Sequence, residues 1–322
     1  VGAQTRRRSE SEDEEVTLST PLAPSQAGAP SPDGPSELSS APPKRRLRRS
    51  ERIALVVGGL VLLPIALVWI YPFFWVITSS VKSNAEIFGS LNPFTSTLRL
   101  DNYIRAWHEA NMGRYFLNTL FVTGMSILIS VTVNALLGYV LGRYAFPGKK
   151  LLYAMLALVV FLPQGYTVIP IFDLIDSLGL SGSLWGMTLA EAGGVSVIVV
   201  LLFAGYFAQL PKELEEAAKV DGAGFLRIFA RVYLPLSGPV LATAVILQFM
   251  HAWNDFLLPL VLTLSQPELR TLAVGIYSLQ NQYFSDWGMM SAASTIALLP
   301  IIIVFIVLQK YFIESFSGAV KG

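Results

Sequence analysis

Residues 215–224 read EEAAKVDGAG. Four charged residues, an Asp-Gly pair and a group of alanines interrupt a chain that is otherwise mostly apolar. What this stretch is depends on what lies on either side of it. Upstream and downstream run long apolar segments of the kind that cross a bilayer as helices. The chain has 322 residues, of which 53% are hydrophobic and only 14% charged. Its mean hydropathy is +0.56. A soluble domain carries about 25% charged residues, so the deficit points to an integral membrane protein.

Six apolar segments are expected to span, at about 53–78, 115–141, 151–172, 185–208, 236–264 and 288–312. Each reaches the roughly 20 residues a membrane helix needs. Prolines at 64, 72, 163, 170, 259 and 300 would break soluble helices. Inside a bundle, neighbours can satisfy the freed carbonyls. The fold class read from this pattern is an all-α membrane protein with six transmembrane helices. Residues 1–52 form a separate regime rich in Ser, Pro, Ala and Gly, with an acidic run (Glu10–Glu15) and a basic run (Lys44–Arg52). Such composition cannot bury enough apolar surface to fold, so a disordered tail is expected, followed by a span rather than a signal-peptide core. Its basic end can meet anionic membrane lipid.

Lysine and arginine set the orientation. With both termini placed inside, 17 of the 23 fall in inner segments and Lys310 falls near the inner end of the sixth span. That asymmetry predicts cytoplasmic termini and puts EEAAKVDGAG in the loop between the fourth and fifth spans. The longest external connection, 79–114, is rich in aromatics and Leu and is expected to hold a small folded element.

Enzyme chemistry finds little support. The chain has no cysteine and two histidines, His108 and His251, far apart in sequence. No metal site and no thiolate chemistry are expected. The stretch GRYAFPGKK, Gly142 to Lys150, has five residues between its glycines and no Ser or Thr after the lysine, so it fails as a phosphate loop. A net charge of +1 gives no case for nucleic acid. Two acids lie inside the spans, Glu191 and Asp255, with no span-centred basic partner. An intramembrane carboxylate is a functional candidate by default. Glu191 has a second reading, as a residue near the outer end of its span reaching polar surface. Asp255 lies about 28 Å along its helix at 1.5 Å per residue. Beside it, Trp253 reads as an interfacial anchor, while Asn254 and Asp255 read as lining for a polar pathway. A stand-alone secondary transporter remains the alternative; it predicts paired ion-binding residues and repeat symmetry, and neither is seen.

The loop 211–235 has local structure of its own. Pro211 suits a helix start. Residues 212–220 read as a short helix with Glu215 and Lys219 one turn apart. Asp221 is expected to cap a second helix, about 223–232, with Phe225, Ile228 and Val232 on one face. Gly222 permits a tight bend. The result is an elbow with a knuckle of small residues, Ala217, Ala218, Gly222 and Ala223, that either lies on the headgroups or lets a partner dock closely.

The run EAAKVDGAGFLRIFARVYLP, Glu216 to Pro235, resembles the EAA loop of binding-protein-dependent ABC importer permeases. PFFWVITSSVKSNAEIF (72–88), RYFLNTL (114–120), WNDFLLPL (253–260) and the ending DWGMMSAAS…LQKYFIESFSGAVKG (286–322) resemble sugar-importer permeases of the maltose-transporter type, in particular the second, six-span subunit. The resemblance covers about 53–322 and leaves the tail out. It implies a non-catalytic permease of the type I importer fold in a bacterial or archaeal inner membrane. The loop would be a coupling helix docked on an ATPase dimer. Glu216 would be the acidic contact, Ala217, Ala218 and Ala223 the close-packed surface, and Asp221 with Gly222 the bend. Gly224, after the DGA triplet, departs from the pattern. The implied partners are a second homologous permease, the ATPase pair, an extracytoplasmic solute-binding protein and a sugar. No cofactor is implied in this chain; ATP and magnesium would belong to the ATPase.

Overall fold

The computed structural model describes residues 49–319, except 90, 91, 96, 162, 163, 194, 195 and 283–285. Of the expected tail, residues 1–48 lie outside the described residues. The chain divides into two units, Val1–Val61 and Leu62–Gly322. Of the first, only the opening turns of a helix are described.

The described residues are helical, with no strands. In chain order the helices are α1 (Arg49–Ser79), α2 (Asn84–Gly89), α3 (Asp101–His108), α4 (Met112–Arg143), α5 (Lys149–Val159), α6 (Val168–Ser177), α7 (Leu184–Ala192), α8 (Val197–Gln209), α9 (Glu213–Val220), α10 (Phe225–Ile228), α11 (Leu234–Leu236), α12 (Gly238–Asn254), α13 (Leu257–Leu262), α14 (Leu272–Gln282) and α15 (Trp287–Ala319). A π turn, Phe229–Tyr233, joins α10 to α11.

Three helices, α1, α4 and α15, are each long and apolar enough to cross a membrane. They contain the first, second and sixth expected spans. Two bent pairs, α7 with α8 and Phe225–Leu236 with α12, bring the number to five. The fourth and fifth expected spans are therefore not single helices. The fifth stops at Asp255, whose extended backbone (ψ 133°) ends α12 before α13 begins. The third expected span, 151–172, is divided between the eleven-residue α5, a 3-10 turn at Gln164–Thr167 and α6. The division falls around the sequence LPQG (162–165), where Pro and Gly both disfavour a continuing helix. Pro64, Pro72 and Pro300 sit inside α1 and α15 without ending them.

Helix α4 is the axis of the larger unit and packs against α8, α12, α7 and α14. Two features of its sequence allow this. Thr119, Thr123, Ser126, Ser130 and Asn134 recur every three or four residues and are all buried. Polar side chains of this size let helices approach and bond across the contact. Farther along, Gly138 and Gly142 are one turn apart and face α8. A Cβ at Gly138 would lie 2.4 Å from the Phe203 Cβ, and one at Gly142 would lie 2.6 Å from the Ala204 carbonyl. Only glycine fits that approach. Tyr144, extended at the C-cap, ends α4, and Gly148 (φ 85°) turns the chain into α5.

Two clusters of buried side chains flank this axis. One gathers Tyr115, Phe249, Trp253, Leu272 and Met289. The other gathers Tyr139, Phe203, Phe207, Phe229 and Tyr233. Trp253 is only 4% exposed, stacks on Phe249 and donates its indole N–H to the Ala297 carbonyl at 3.2 Å. It is a core residue and not an interfacial anchor. Segment 79–114 does hold folded structure, α2 and α3. The buried Asn102 amide ties it down by donating to the Ser80 and Lys82 carbonyls, both at 3.0 Å. An ion pair between Arg105 and Asp286 joins α3 to the start of α15.

Helix α1 differs from the rest. From Leu62 to Phe74 its large apolar side chains remain exposed, with Trp69 at 74%. A face this apolar needs lipid or another protein against it.

Candidate functional site

The elbow is built around Gly222. Helix α9 ends with Asp221 at its C-cap, followed by Gly222 in the left-handed region at φ 72°. The Gly222 N–H donates to the Lys219 carbonyl at 3.0 Å, and the Ala223 N–H donates to the Ala218 carbonyl at 2.9 Å. These two bonds form a Schellman motif, with Ala218 and Ala223 as its accompanying apolar contact. Both alanines are partly buried against the Tyr139 cluster. Glu216, Ala217, Asp221 and Gly222 stay exposed. The expected small-residue knuckle thus divides into two inward alanines that fasten the elbow and an outward pair, Ala217 and Gly222, presented beside Glu216 and Asp221.

Two details of the elbow correct the sequence reading. Asp221 does not cap the second helix: the residue before α10 is Gly224, and no side chain caps that helix. Asp221 instead closes α9 through its backbone N–H, which donates to the Ala217 carbonyl at 3.1 Å. The buried face of the second helix is Ile228, Phe229 and Tyr233, while Phe225 and Val232 are not buried. The π turn accounts for the exchange of Val232 for Tyr233. Its Leu234 N–H reaches back five residues to the Phe229 carbonyl, so the register advances and Tyr233 turns inward.

Tyr233 turns toward a buried charge. Glu215 accepts from Arg143 Nε at 3.2 Å, from the Tyr233 hydroxyl at 3.1 Å, and from Lys219 Nζ at 2.8 Å. Arg143 also donates to the Leu210 carbonyl at 2.8 Å, near the C-terminal end of α8. One guanidinium therefore fastens the last turn of α4 to the end of α8 and to α9. Burial works against the Glu215 carboxylate. Hydrogen bonds from Lys219, Arg143 and Tyr233 outweigh it and hold its pKa below the ordinary carboxylate value. Burial pushes the Tyr233 phenol up to about 12 against the Arg143 charge, so it remains a donor. The Tyr139 ring packs against Tyr144, Phe207, Phe225, Phe229 and Tyr233 around this clamp.

The two acids of the expected spans meet at a different place. Glu191 and Asp255, distant in sequence, line one cavity of about 480 Å³ together with His251, Thr167 and Ser196 over apolar walls such as Val168 and Leu258. Glu191 is 3% exposed, and neither of its carboxylate oxygens has a hydrogen-bond partner. It is a buried residue and does not reach polar surface. His251 Nε2 lies 3.7 Å from Glu191 Oε2. Asp255 Oδ1 accepts from the Leu257 N–H at 3.2 Å and so starts α13. Asn254 is exposed, donates its amide to the Met250 carbonyl at 2.8 Å, and is not among the cavity's lining residues. Behind Glu191, Gln248 donates to the Glu191 carbonyl at 3.3 Å and accepts from Ser130, which in turn accepts from Asn134.

Sequence reasoning missed Arg143, Tyr233, His251 and the Gly138–Gly142 pair. The glycine pair carries a legible signal, two glycines four apart in a membrane helix. The others do not, because their partners come from distant segments. Among the described residues no group of His, Asp and Glu is placed to hold a metal ion.

Comparison with known proteins agrees with this architecture. Residues 134–317 match the family described as binding-protein-dependent transport system inner membrane component. A probable ABC transporter permease protein of Pyrococcus horikoshii is 36% identical over 268 residues, covering 82% of this chain and 96% of that protein. The diacetylchitobiose uptake system permease protein of Streptomyces coelicolor is 31% identical, covering 85% of this chain and 91% of that protein. Among solved structures, a bacterial ABC transporter involved in the import of the acidic polysaccharide alginate matches with a TM-score of 0.69 and 25% identity, covering 83% of this chain and 99% of that chain. The chain belongs to the binding-protein-dependent transport system inner membrane component family, and it is an ABC importer permease subunit with no catalysis of its own.

Proposed function

We propose that this permease carries a sugar or sugar-like solute across a bacterial or archaeal inner membrane, with the elbow as its docking point for an ATPase subunit. The observation that supports this most is the division of labour in the elbow. Glu215, Ala218 and Ala223 fasten it inward, while Glu216, Ala217, Asp221 and Gly222 are presented outward on a locked turn. A rigid, small-residued surface suits the transfer of a rigid-body push. The relative that takes up diacetylchitobiose and the alginate importer favour a saccharide.

The working complex then contains this chain, a second homologous permease, two ATPase subunits and an extracytoplasmic solute-binding protein. ATP and magnesium act at the ATPase. All six apolar segments cross the membrane, broken ones included, with 53–322 as the permease domain and both termini in the cytoplasm. The exposed face of α1 lies against lipid or the second permease. Glu191 and Asp255 line the solute path, and Asn254 lies at its exposed margin.

Two measurements test this. Tagged protein purified from native membrane should bring down an ATPase subunit; recovery without one would sink the reading. Gly222→Ala should be strained only by its φ, because open space surrounds the added Cβ. Gly222→Trp adds bulk at the presented surface. Both should assemble, but only the Trp variant should hydrolyse ATP without importing solute. Normal import by Gly222→Trp would remove the elbow from the docking site.

A further inference from the structure

Glu191 is a buried carboxylate whose two oxygens accept no hydrogen bond, in the wall of a cavity. An ionisable side chain left unpaired in a membrane interior is expensive, and such a residue is a functional candidate by default. His251 is within 3.7 Å, half exposed, and offers at most one charge against two carboxylates. Asp255 brings the second carboxylate to the same cavity. Among the lining residues there is no Lys and no Arg. The remaining surface is Thr167, Ser196 and aliphatic wall. The volume, about 480 Å³, is that of a small-molecule site.

Carboxylate oxygens are acceptors only, and each can take more than one donor. The chemical group that answers an array of unused acceptors over aliphatic walls is a ring with several hydroxyls on its edges and C–H bonds on its faces. A solute carboxylate cannot answer it. It would bring a further negative charge into a cavity that already holds two carboxyl groups and no Lys or Arg, where screening by water is weak.

We propose that Glu191, His251 and Asp255 form a hydroxyl-binding subsite that accepts neutral saccharides and rejects acidic ones. The subsite rests on the reading of this chain as a saccharide permease and adds its charge selectivity. It sets the chain apart from its structural neighbour, whose solute is an acidic polysaccharide. Glu191 supplies the main acceptor, Asp255 a second, and His251 a donor or acceptor according to the hydroxyl it meets. Gln248, held by Ser130 and bonded to the Glu191 backbone, positions the helix segment that carries the carboxylate.

The test uses the assembled permease–ATPase complex in lipid nanodiscs, without the binding protein, so that only the membrane site discriminates. Equilibrium dialysis measures retention of radiolabelled maltotriose and trigalacturonate. The unaltered complex should retain the neutral trisaccharide at least about tenfold more than the acidic one, a difference of about 1.4 kcal/mol. Glu191→Gln keeps shape and polarity and should lower maltotriose retention several-fold. Glu191→Gln with Asp255→Asn should bring the two sugars within about twofold of each other by removing the repulsion. Equal retention of both sugars by the unaltered complex overturns the subsite, as does retention of neither. An unchanged preference in an assembled double variant overturns it too. Uptake of saccharide in intact cells is scored separately: its absence overturns the sugar reading itself, while its presence alongside failed selectivity removes only the subsite.

Discussion

Among the described residues two glutamates are buried, and they are buried differently. Glu215, 7% exposed, accepts hydrogen bonds from Arg143, Tyr233 and Lys219. Glu191, 3% exposed, accepts none. A buried charge surrounded by donors fixes the elements that bring those donors, and here it joins α4 and α8 to α9. A buried carboxylate without donors fixes nothing in the folded chain and is left to pair with something that arrives. The same residue type thus serves rigidity at the elbow and recognition at the cavity, and the neighbours make the difference.

The comparison breaks most sharply at Arg143. Arg143→Met should leave the Glu215 carboxylate only its Tyr233 and Lys219 donors and lower stability by about 1.5–3 kcal/mol. Thermal melting of the purified complex would register this, and Arg143→Met with Glu215→Met should recover much of it, since replacing both partners by apolar groups is often near neutral. The clamp also has a pH signature. Because the folded pKa of Glu215 is depressed, its contribution is complete above the ordinary carboxylate value of about 4.3 and is lost as pH falls through the lower folded value. The stability gap between unaltered protein and Glu215→Gln should therefore close on acidification below about pH 4.

Next in size is the helix contact that carries the clamp. Gly138→Ala places a Cβ against Phe203 and the backbone of Ala204 and should cost about 1–3 kcal/mol by overpacking. A melting midpoint equal to that of the unaltered protein would mean α4 and α8 are not held as closely as described. A smaller effect separates the two glutamates directly. Glu215→Gln should lower the midpoint, whereas Glu191→Gln should not, because the Glu191 carboxyl oxygens accept no hydrogen bond that the change would remove. Equal destabilisation by both would end the distinction between strut and binding group. The smallest effect belongs to Lys219→Ala. Lys219 is exposed and its pair with Glu215 is screened by water, so the midpoint should stay within error.

Much of this was legible in the residues. The apolar runs announced a helical membrane protein, and Glu216 to Pro235 carried the family resemblance. The i, i+4 relation of Glu215 and Lys219 announced their ion pair. What was not legible follows a rule. Asp221 read as an N-cap because Asp before a helix usually accepts from its first N–H groups. The Schellman turn at Gly222 moved the next helix start to Phe225 and left Asp221 behind. Val232 read as an inward residue from a period of 3.6, and one π turn replaced it with Tyr233. Trp253 read as an interface residue from its neighbours in sequence, while its neighbours in space are Phe249, Phe116 and Ala297.

The sequence by itself marked the chain as a helical membrane protein, because transfer from water to hydrocarbon is a property of composition summed over about twenty residues. It also determined the elbow, because capping and turn formation are decided within a few residues of backbone. Tertiary structure alone decided which buried charges are satisfied. Arg143 reaches Glu215 from 72 residues away, and His251 and Asp255 reach the Glu191 cavity from about 60. Hydrogen bonds act over about 3 Å, and no local pattern announces which distant helix will supply the partner or withhold it.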